Sequence, residues 1–300
     1  APLWVSPRGG GIGRGMPPSR LRCFGITSLT CVPLPSSGER EWRKNMNGKI
    51  GAWAFFMLLV TVFVGTACVI PVSAGMGDDS DAIYPEFGVE YKQIYNTRNN
   101  LPNSPAIAEG FYEVFDNAGW GCNFYIGDWD RDTQRWDWDS DAAHVDSVDL
   151  VFWAGHGDDS FILLDGLLPV LAWVYFHDCN WGDQDLEWIL LHSCHTTQIP
   201  GEFKAWPHWA LNGAHLVCGF DTVGYDYAED GAAVANKLFN NYKVRHAWYF
   251  GLDETHGNDV WIGTIGENAA CGDDRIWGEG SVIADPPVDS EIYRWLFQCN

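Results

Sequence analysis

The sequence predicts an α/β fold: a mostly parallel sheet flanked by helices. Three observations predict it. Strand-like and helix-like segments alternate along the second two thirds of the chain, the pattern of a parallel sheet with helices on its faces. The strand-like run after Asp149 is continuously apolar, as expected for a strand covered on both sides, and Leu186–His192 reads as another buried strand. Hydrophobic residues make up 46% of the 300 residues and charged residues 19%, enough apolar material for a sizeable core.

The elements follow in order. Residues 1–45 are rich in Gly, Pro, Ser and Arg and show no hydrophobic period. They are expected to be a disordered leader or an upstream reading-frame extension. Met46–Ala74 reads as a secretory signal, with Lys49 as basic flank, an apolar run over 50–70 and small residues near Ala74. That run is about 20 residues, so an uncleaved signal-anchor helix is the alternative. Either way the remainder is expected to be exported, secreted or held on the outer face of the membrane, with no other membrane contact. Residues 75–87 read as linker and 88–300 as the α/β domain.

Within that domain, Val89–Tyr95 reads as a strand. Ser104 reads as the N-cap of a helix with Pro105 at its first position, running to about Asn117. Cys122–Ile126 is a second strand and Val148–Ala154 a third. Phe161–Leu164 is a short extended piece, Leu186–His192 a buried strand, and Pro200–Leu211 a helix. Ala214–Phe220 reads as a strand and Asp230–Asn241 as a helix. Lys243–Tyr249 and Asp289–Phe297 read as further helices.

Charge excludes one class of partner. Residues 1–74 hold eight of the 18 Lys and Arg but two of the 40 Asp and Glu. The rest of the chain is therefore strongly acidic, and such a surface repels nucleic-acid phosphates. The acidic stretch 127–143, with Asp128, Asp130, Asp137, Asp139 and Asp141, is the place where Ca²⁺ is considered, although the spacing is not that of an EF-hand. No other cofactor is expected. Six cysteines follow residue 75 (Cys122, Cys179, Cys194, Cys218, Cys271 and Cys299), none in a CxxC pair. Export permits disulfides, so a bridged Cys194 is one alternative.

Two strand ends carry reactive groups. One apolar strand runs into Gly155-His156-Gly157, the other into Ser193-Cys194-His195. In an open parallel sheet, sites form beyond the carboxyl ends of the strands. A thiolate is a nucleophile, and an adjacent imidazole lowers its pKa and carries its proton. Backbone N–H groups at Gly157 and Cys194 are placed to hold an oxyanion. Asp158 and Asp159 are candidates to orient the imidazole.

The His-Gly block after one apolar strand and the Cys block after the next, 38 residues apart, resemble the caspase-like (clan CD) cysteine peptidases, over about residues 88–225. The chain looks most like an exported prokaryotic branch of that fold. The resemblance implies a caspase-like three-layer sandwich, His156 as general base, Gly157 as an oxyanion donor and Cys194 as nucleophile. It implies hydrolysis of a peptide or protein substrate through a thioester acyl-enzyme. It further implies that the loop opening with Gly219-Phe220-Asp221 shapes the substrate pocket, where Asp221 would favour Arg or Lys. The sequence departs from the caspase Gln-Ala-Cys-x-Gly run, having His192-Ser193-Cys194-His195-Thr196 instead. Two other classes stay open: a catalytically inactive caspase-like binding domain at the cell envelope, and a zinc-binding hydrolase built on His156, Cys194 and His195.

Overall fold

The computed structural model describes residues 85–96, 98–128, 136–139, 144–164, 173–199, 206–287 and 291–300. These fall within the compact unit Cys68–Asn300. The leader, the signal or anchor segment and most of the linker lie outside the described residues. Among the described residues, no helix is long and apolar enough to cross a membrane.

Ten strands and five α-helices are described. In chain order they are β1 (Glu86–Tyr91), α1 (Ser104–Ala118), β2 (Gly121–Ile126), α2 (Trp136–Asp139), β3 (Leu150–Ala154), β4 (His156–Asp158), β5 (Phe161–Leu163), β6 (Trp173–Tyr175), β7 (Trp188–His192), α3 (Trp206–Ala210), β8 (Leu216–Phe220), α4 (Asp230–Leu238), α5 (Val244–Leu252), β9 (Trp261–Gly266) and β10 (Tyr293–Gln298). Seven strands form one mixed sheet, ordered β10-β9-β8-β7-β3-β1-β2. The five from β2 to β8 pair in parallel, whereas β9 and β10 join antiparallel. The chain leaves β1 on one side to make β2 and returns on the other as β3. The strand order therefore reverses beside β1, where α/β sheets open a crevice. A separate antiparallel sheet, β4-β5-β6, grows from the end of β3.

The apolar runs explain the centre of the sheet. Every residue of β3, β7 and β8 is buried, and alternate residues face two different cores. Leu150, Phe152, Trp188 and Leu190 join a cluster with Phe111 of α1, Val234 of α4 and Trp248 of α5. Val151, Trp153, Ile189 and Leu191 join another with Trp138 of α2 and Ala210 of α3. Each fully buried side chain of this size contributes about 1.5–3 kcal/mol, so these strands hold their ends firmly. Close approach of α1 and α4 depends on Gly231, whose added Cβ would strike the Ile107 carbonyl.

Several elements differ from the sequence reading. Asp289–Phe297 is not a helix: Tyr293–Gln298 is a strand pairing with β9 in antiparallel register, and its aromatic residues Tyr293, Trp295 and Phe297 recur at every second position, the period of a strand. Strand β9 has no counterpart in the sequence reading. The N-cap of α1 is Asn103 rather than Ser104, so Pro105 falls at the second helical position. The helix expected over Pro200–Leu211 is described only as Trp206–Ala210, and α4 stops at Leu238 rather than Asn241.

Candidate active site

Strand register places the two reactive blocks side by side. Ala154 of β3 and His192 of β7 are partners. His156 and Cys194 each follow two residues later. The Gly155 N–H donates to the His192 carbonyl at 3.2 Å, extending the ladder one step beyond the strand ends. Past that point β3 gives way to β4, while β7 gives way to the turn Ser193–Thr197. The two blocks abut at Gly157: a Cβ there would lie 2.5 Å from Ser193 Oγ and 2.9 Å from Thr196 Cγ2. Only glycine lets the backbones approach so closely. Ser193 Oγ in turn donates to the Gly155 carbonyl at 2.8 Å.

His156 is held by the segment that follows β1. Its Nε2 is 2.7 Å from the Asn99 carbonyl, and its backbone N–H donates to Tyr95 Oη at 2.9 Å. The Tyr95 ring packs on the imidazole with centroids 4.6 Å apart. A carbonyl can only accept, so Nε2 carries the proton and Nδ1 keeps the lone pair. Burial pushes the His156 pKa down, with the Arg98 charge acting the same way and Asn99 and Asp226 opposing it. The imidazole is therefore a neutral base at neutral pH. Asp158 and Asp159 do not orient it: Asp158 Oδ1 instead accepts the Asp159 N–H at 2.9 Å.

Cys194 is half-buried, and its thiol lies 3.6 Å from the Gly224 carbonyl. Burial raises its pKa, and the Asp158 carboxylate adds to the effect. The lowered thiol pKa anticipated from an adjacent imidazole is thus reversed, because burial outweighs any cationic help. The thiol is not bridged; Cys122, Cys194, Cys218, Cys271 and Cys299 are all free. His195 adopts the left-handed backbone conformation, φ 60°, and its N–H donates to the Thr222 carbonyl at 3.0 Å. Asp221, expected in the pocket, is ion-paired with Arg294 of β10.

Sequence reasoning missed a buried polar cluster beside this pair. His192 Nε2 lies 2.7 Å from Asp230 Oδ2, and Thr255 Oγ1 donates to Asp230 Oδ1 at 2.5 Å. Thr255 Oγ1 is also 3.0 Å from His256 Nδ1, and the Tyr225 N–H approaches His256 Nε2 at 3.4 Å. Burial lowers the His256 pKa to about 4, so a neutral imidazole completes the chain of hydrogen bonds. Asp226 connects the two groups electrostatically, since its carboxylate feels both His192 and His156. Metal-binding chemistry is also regrouped. Among the described residues, the donor atoms that converge are those of His192, Asp230 and His256, and those of Glu86, Asp149 and Asp185. The set His156, Cys194 and His195 is not among them. In the acidic stretch, Asp128 pairs with Lys92 at 3.1 Å and accepts the Gln93 and Ile94 N–H groups. Asp137 is buried 3.4 Å from His144. Asp130 and Asp141 lie outside the described residues, as does the side chain of Asp139.

A family model described as "Domain of unknown function (DUF6345)" matches residues 89–298. The chain belongs to that family. The match spans β1 to β10, so the DUF6345 domain carries both strand-end blocks and the His192–Asp230–His256 cluster. No curated protein matches it. Among solved structures, the chain is similar to the X-ray structure of a secreted C11 cysteine protease from Bacteroides thetaiotaomicron in complex with an irreversible peptide inhibitor. The identity is 12% and the TM-score 0.39, with 61% of this chain and 66% of that chain covered.

Proposed function

We propose that the DUF6345 domain is an exported cysteine endopeptidase with a caspase-like three-layer arrangement. The observation that carries this reading is the fixing of His156: the Asn99 carbonyl accepts a hydrogen bond from Nε2–H and leaves the Nδ1 lone pair free, on the same sheet edge as Cys194. His156 Nδ1 removes the thiol proton as the sulfur attacks the scissile carbonyl carbon. The carbonyl electrons move onto oxygen, where backbone N–H groups of Gly157 and Cys194 hold the oxyanion. The protonated imidazole then delivers its proton to the leaving amine. Water, deprotonated by the same nitrogen, hydrolyses the thioester. The raised thiol pKa means that the resting pair is neutral, so His156 acts as a general base when substrate binds rather than storing a thiolate beforehand.

The same raised pKa favours a second reading, a catalytically silent domain that binds a peptide at the cell envelope. Alkylation separates the two. On the peptidase reading, a peptidyl chloromethyl ketone modifies Cys194 at pH 7 far faster than iodoacetamide does. Peptides with Arg, Lys, Asp or Asn before the scissile bond are hydrolysed at differing rates. Both Cys194→Ala and His156→Ala lose hydrolysis by at least about a thousandfold, the scale for removing one member of a catalytic pair. Inertness of all four peptides, together with equal labelling by both reagents, rejects the peptidase reading.

A further inference from the structure

At the opposite edge of the sheet, register builds a row of ionisable residues. Phe87, Leu150, Trp188 and Leu216 pair in sequence across β1, β3, β7 and β8. The residues just before them are Glu86, Asp149, Glu187 and His215. The Glu86 N–H donates to Asp149 Oδ2 at 2.5 Å, the Glu187 N–H to the Asp149 carbonyl at 3.1 Å, and the His215 N–H to the Glu187 carbonyl at 2.8 Å. Asp185 reaches in from the loop before β7, and carboxylate oxygens of Glu86, Asp149 and Asp185 lie within 4.8 Å of one another.

Glu187 supplies a second, independent observation. It is 2% exposed, and its Oε2 is buried with no hydrogen-bond partner. The charges acting on it most strongly are those of Asp149, Asp185 and Asp285, all negative. An unpaired buried carboxylate facing other carboxylates is strongly unfavourable unless a cation or protons neutralise it. The imidazole at the end of the row does not serve, because His215 Nδ1 is 2.6 Å from Asp274 and Nε2 is 3.4 Å from Asp285.

We propose that Glu86, Asp149 and Asp185, closed from behind by Glu187, bind one calcium ion at the amino edge of the sheet. The chemistry is that of a hard cation, with oxygen donors only. Three carboxylates whose oxygens lie within 4.8 Å of one another are within reach of a single hard cation. Calcium also accepts bidentate carboxylates and sheds water readily, which suits a site walled by buried acids. This site is separate from the acidic stretch 127–143.

Calorimetric titration of the chelator-treated full chain tests the proposal. The expected result is one calcium per chain, and a rise in melting temperature of about 5 °C at calcium roughly a hundredfold above Kd. Magnesium binds at least about tenfold more weakly. Glu187→Gln and Asp185→Asn each weaken calcium binding by about tenfold or more, one partly losing a wall and the other a ligand. Asp128→Asn, in the acidic stretch, leaves affinity unchanged. Glu187→Gln keeps the side-chain volume, and Asp185→Asn changes a half-exposed position, so circular dichroism at low temperature verifies folding of both. No calcium binding by the wild-type chain up to about 10 mM, well beyond even the weak extracellular modules, overturns the proposal. So does undiminished affinity in both folded variants, or loss of binding in Asp128→Asn.

Discussion

The two edges of the same sheet treat histidine in opposite ways. At the carboxyl edge, His156 and His256 have lowered pKa values, the latter about 4. At the amino edge, Asp274 and Asp285 overcome burial and lift His215 to about 9. Parallel pairing sends five strand starts to one edge and five strand ends to the other. The end of β3 runs into the glycine-flanked His156 and that of β7 into the turn Ser193–Thr197, leaving His156 and Cys194 half-buried with backbone groups as partners. The starts carry acids: Asp149 and Glu187 are almost fully buried. Burial with no carboxylate hydrogen-bonded to the ring leaves His156 and His256 neutral, whereas two carboxylates against the ring keep His215 charged. One edge is thus suited to moving a proton and the other to holding fixed charge.

The largest expected effect tests this contrast through pH. His215 binds its proton more tightly folded than unfolded, so its contribution is complete below about pH 6.5 and is lost as pH rises through about 9. His256 is the reverse: its contribution is complete above about pH 6.5 and is lost as pH falls towards about 4. Each shift corresponds to stability on the order of 3 kcal/mol. Asp149, raised to about 6, and Glu90, raised to about 8 by burial, also destabilise the fold as pH rises through those values. Denaturant midpoints measured from pH 4 to 9 are expected to peak in between. His215→Asn flattens part of the alkaline limb and His256→Asn part of the acid limb. If either variant alters both limbs equally, the edges are not electrostatically independent. Saturating calcium is expected to remove the loss that Asp149 contributes between about pH 4 and 6, since a bound cation keeps that carboxylate ionised.

The contrast also explains what the sequence revealed. Strands β3 and β7 were legible because burial on both faces requires unbroken apolar runs, and the reactive residues directly follow them. Strand β9 was not, because Trp261-Ile-Gly-Thr-Ile-Gly266 reads like a loop; Gly263 is there because a Cβ would strike Thr197. Strand β10 was misread as a helix because its apolar residues fit either period. The partners of His156 lie 57 and 61 residues away in Asn99 and Tyr95, and Asp230 lies 38 residues beyond His192. No local pattern encodes such contacts. The acid row did leave a trace, in Asp149 before Leu150 and Glu187 before Trp188, but only pairing in register turns those single residues into a group.

A smaller effect sharpens the carboxyl edge alone. Tyr95→Phe keeps the ring against His156 and removes the oxygen that accepts its backbone N–H. The expected loss is about 1–2 kcal/mol of stability, the scale of a buried donor left unsatisfied. If the imidazole is the general base, kcat falls by about tenfold while KM is unchanged, because orientation matters only as the proton moves. The calcium-induced rise in melting temperature is expected to be unaffected. A matching change in calcium response couples the two edges and breaks the contrast.

The smallest effect is expected at Asp221, an acid at the carboxyl edge. Its charge is matched by Arg294 of β10, and both side chains are partly exposed. Exposed pairs of this kind are worth about 1 kcal/mol or less, so Asp221→Asn is expected to change stability by no more than that. A carboxylate matched by an internal guanidinium offers little to a substrate cation, because binding Arg or Lys would require Arg294 to leave. Relative rates of cleavage after Arg, Lys, Asp and Asn are therefore expected to be the same in Asp221→Asn as in the wild-type chain. Selective loss of cleavage after Arg and Lys would show that Arg294 swings away when substrate binds and that Asp221 forms the pocket floor after all. Arg294→Ala distinguishes the cases independently: freeing Asp221 is expected to create a preference for basic residues that the wild-type chain lacks.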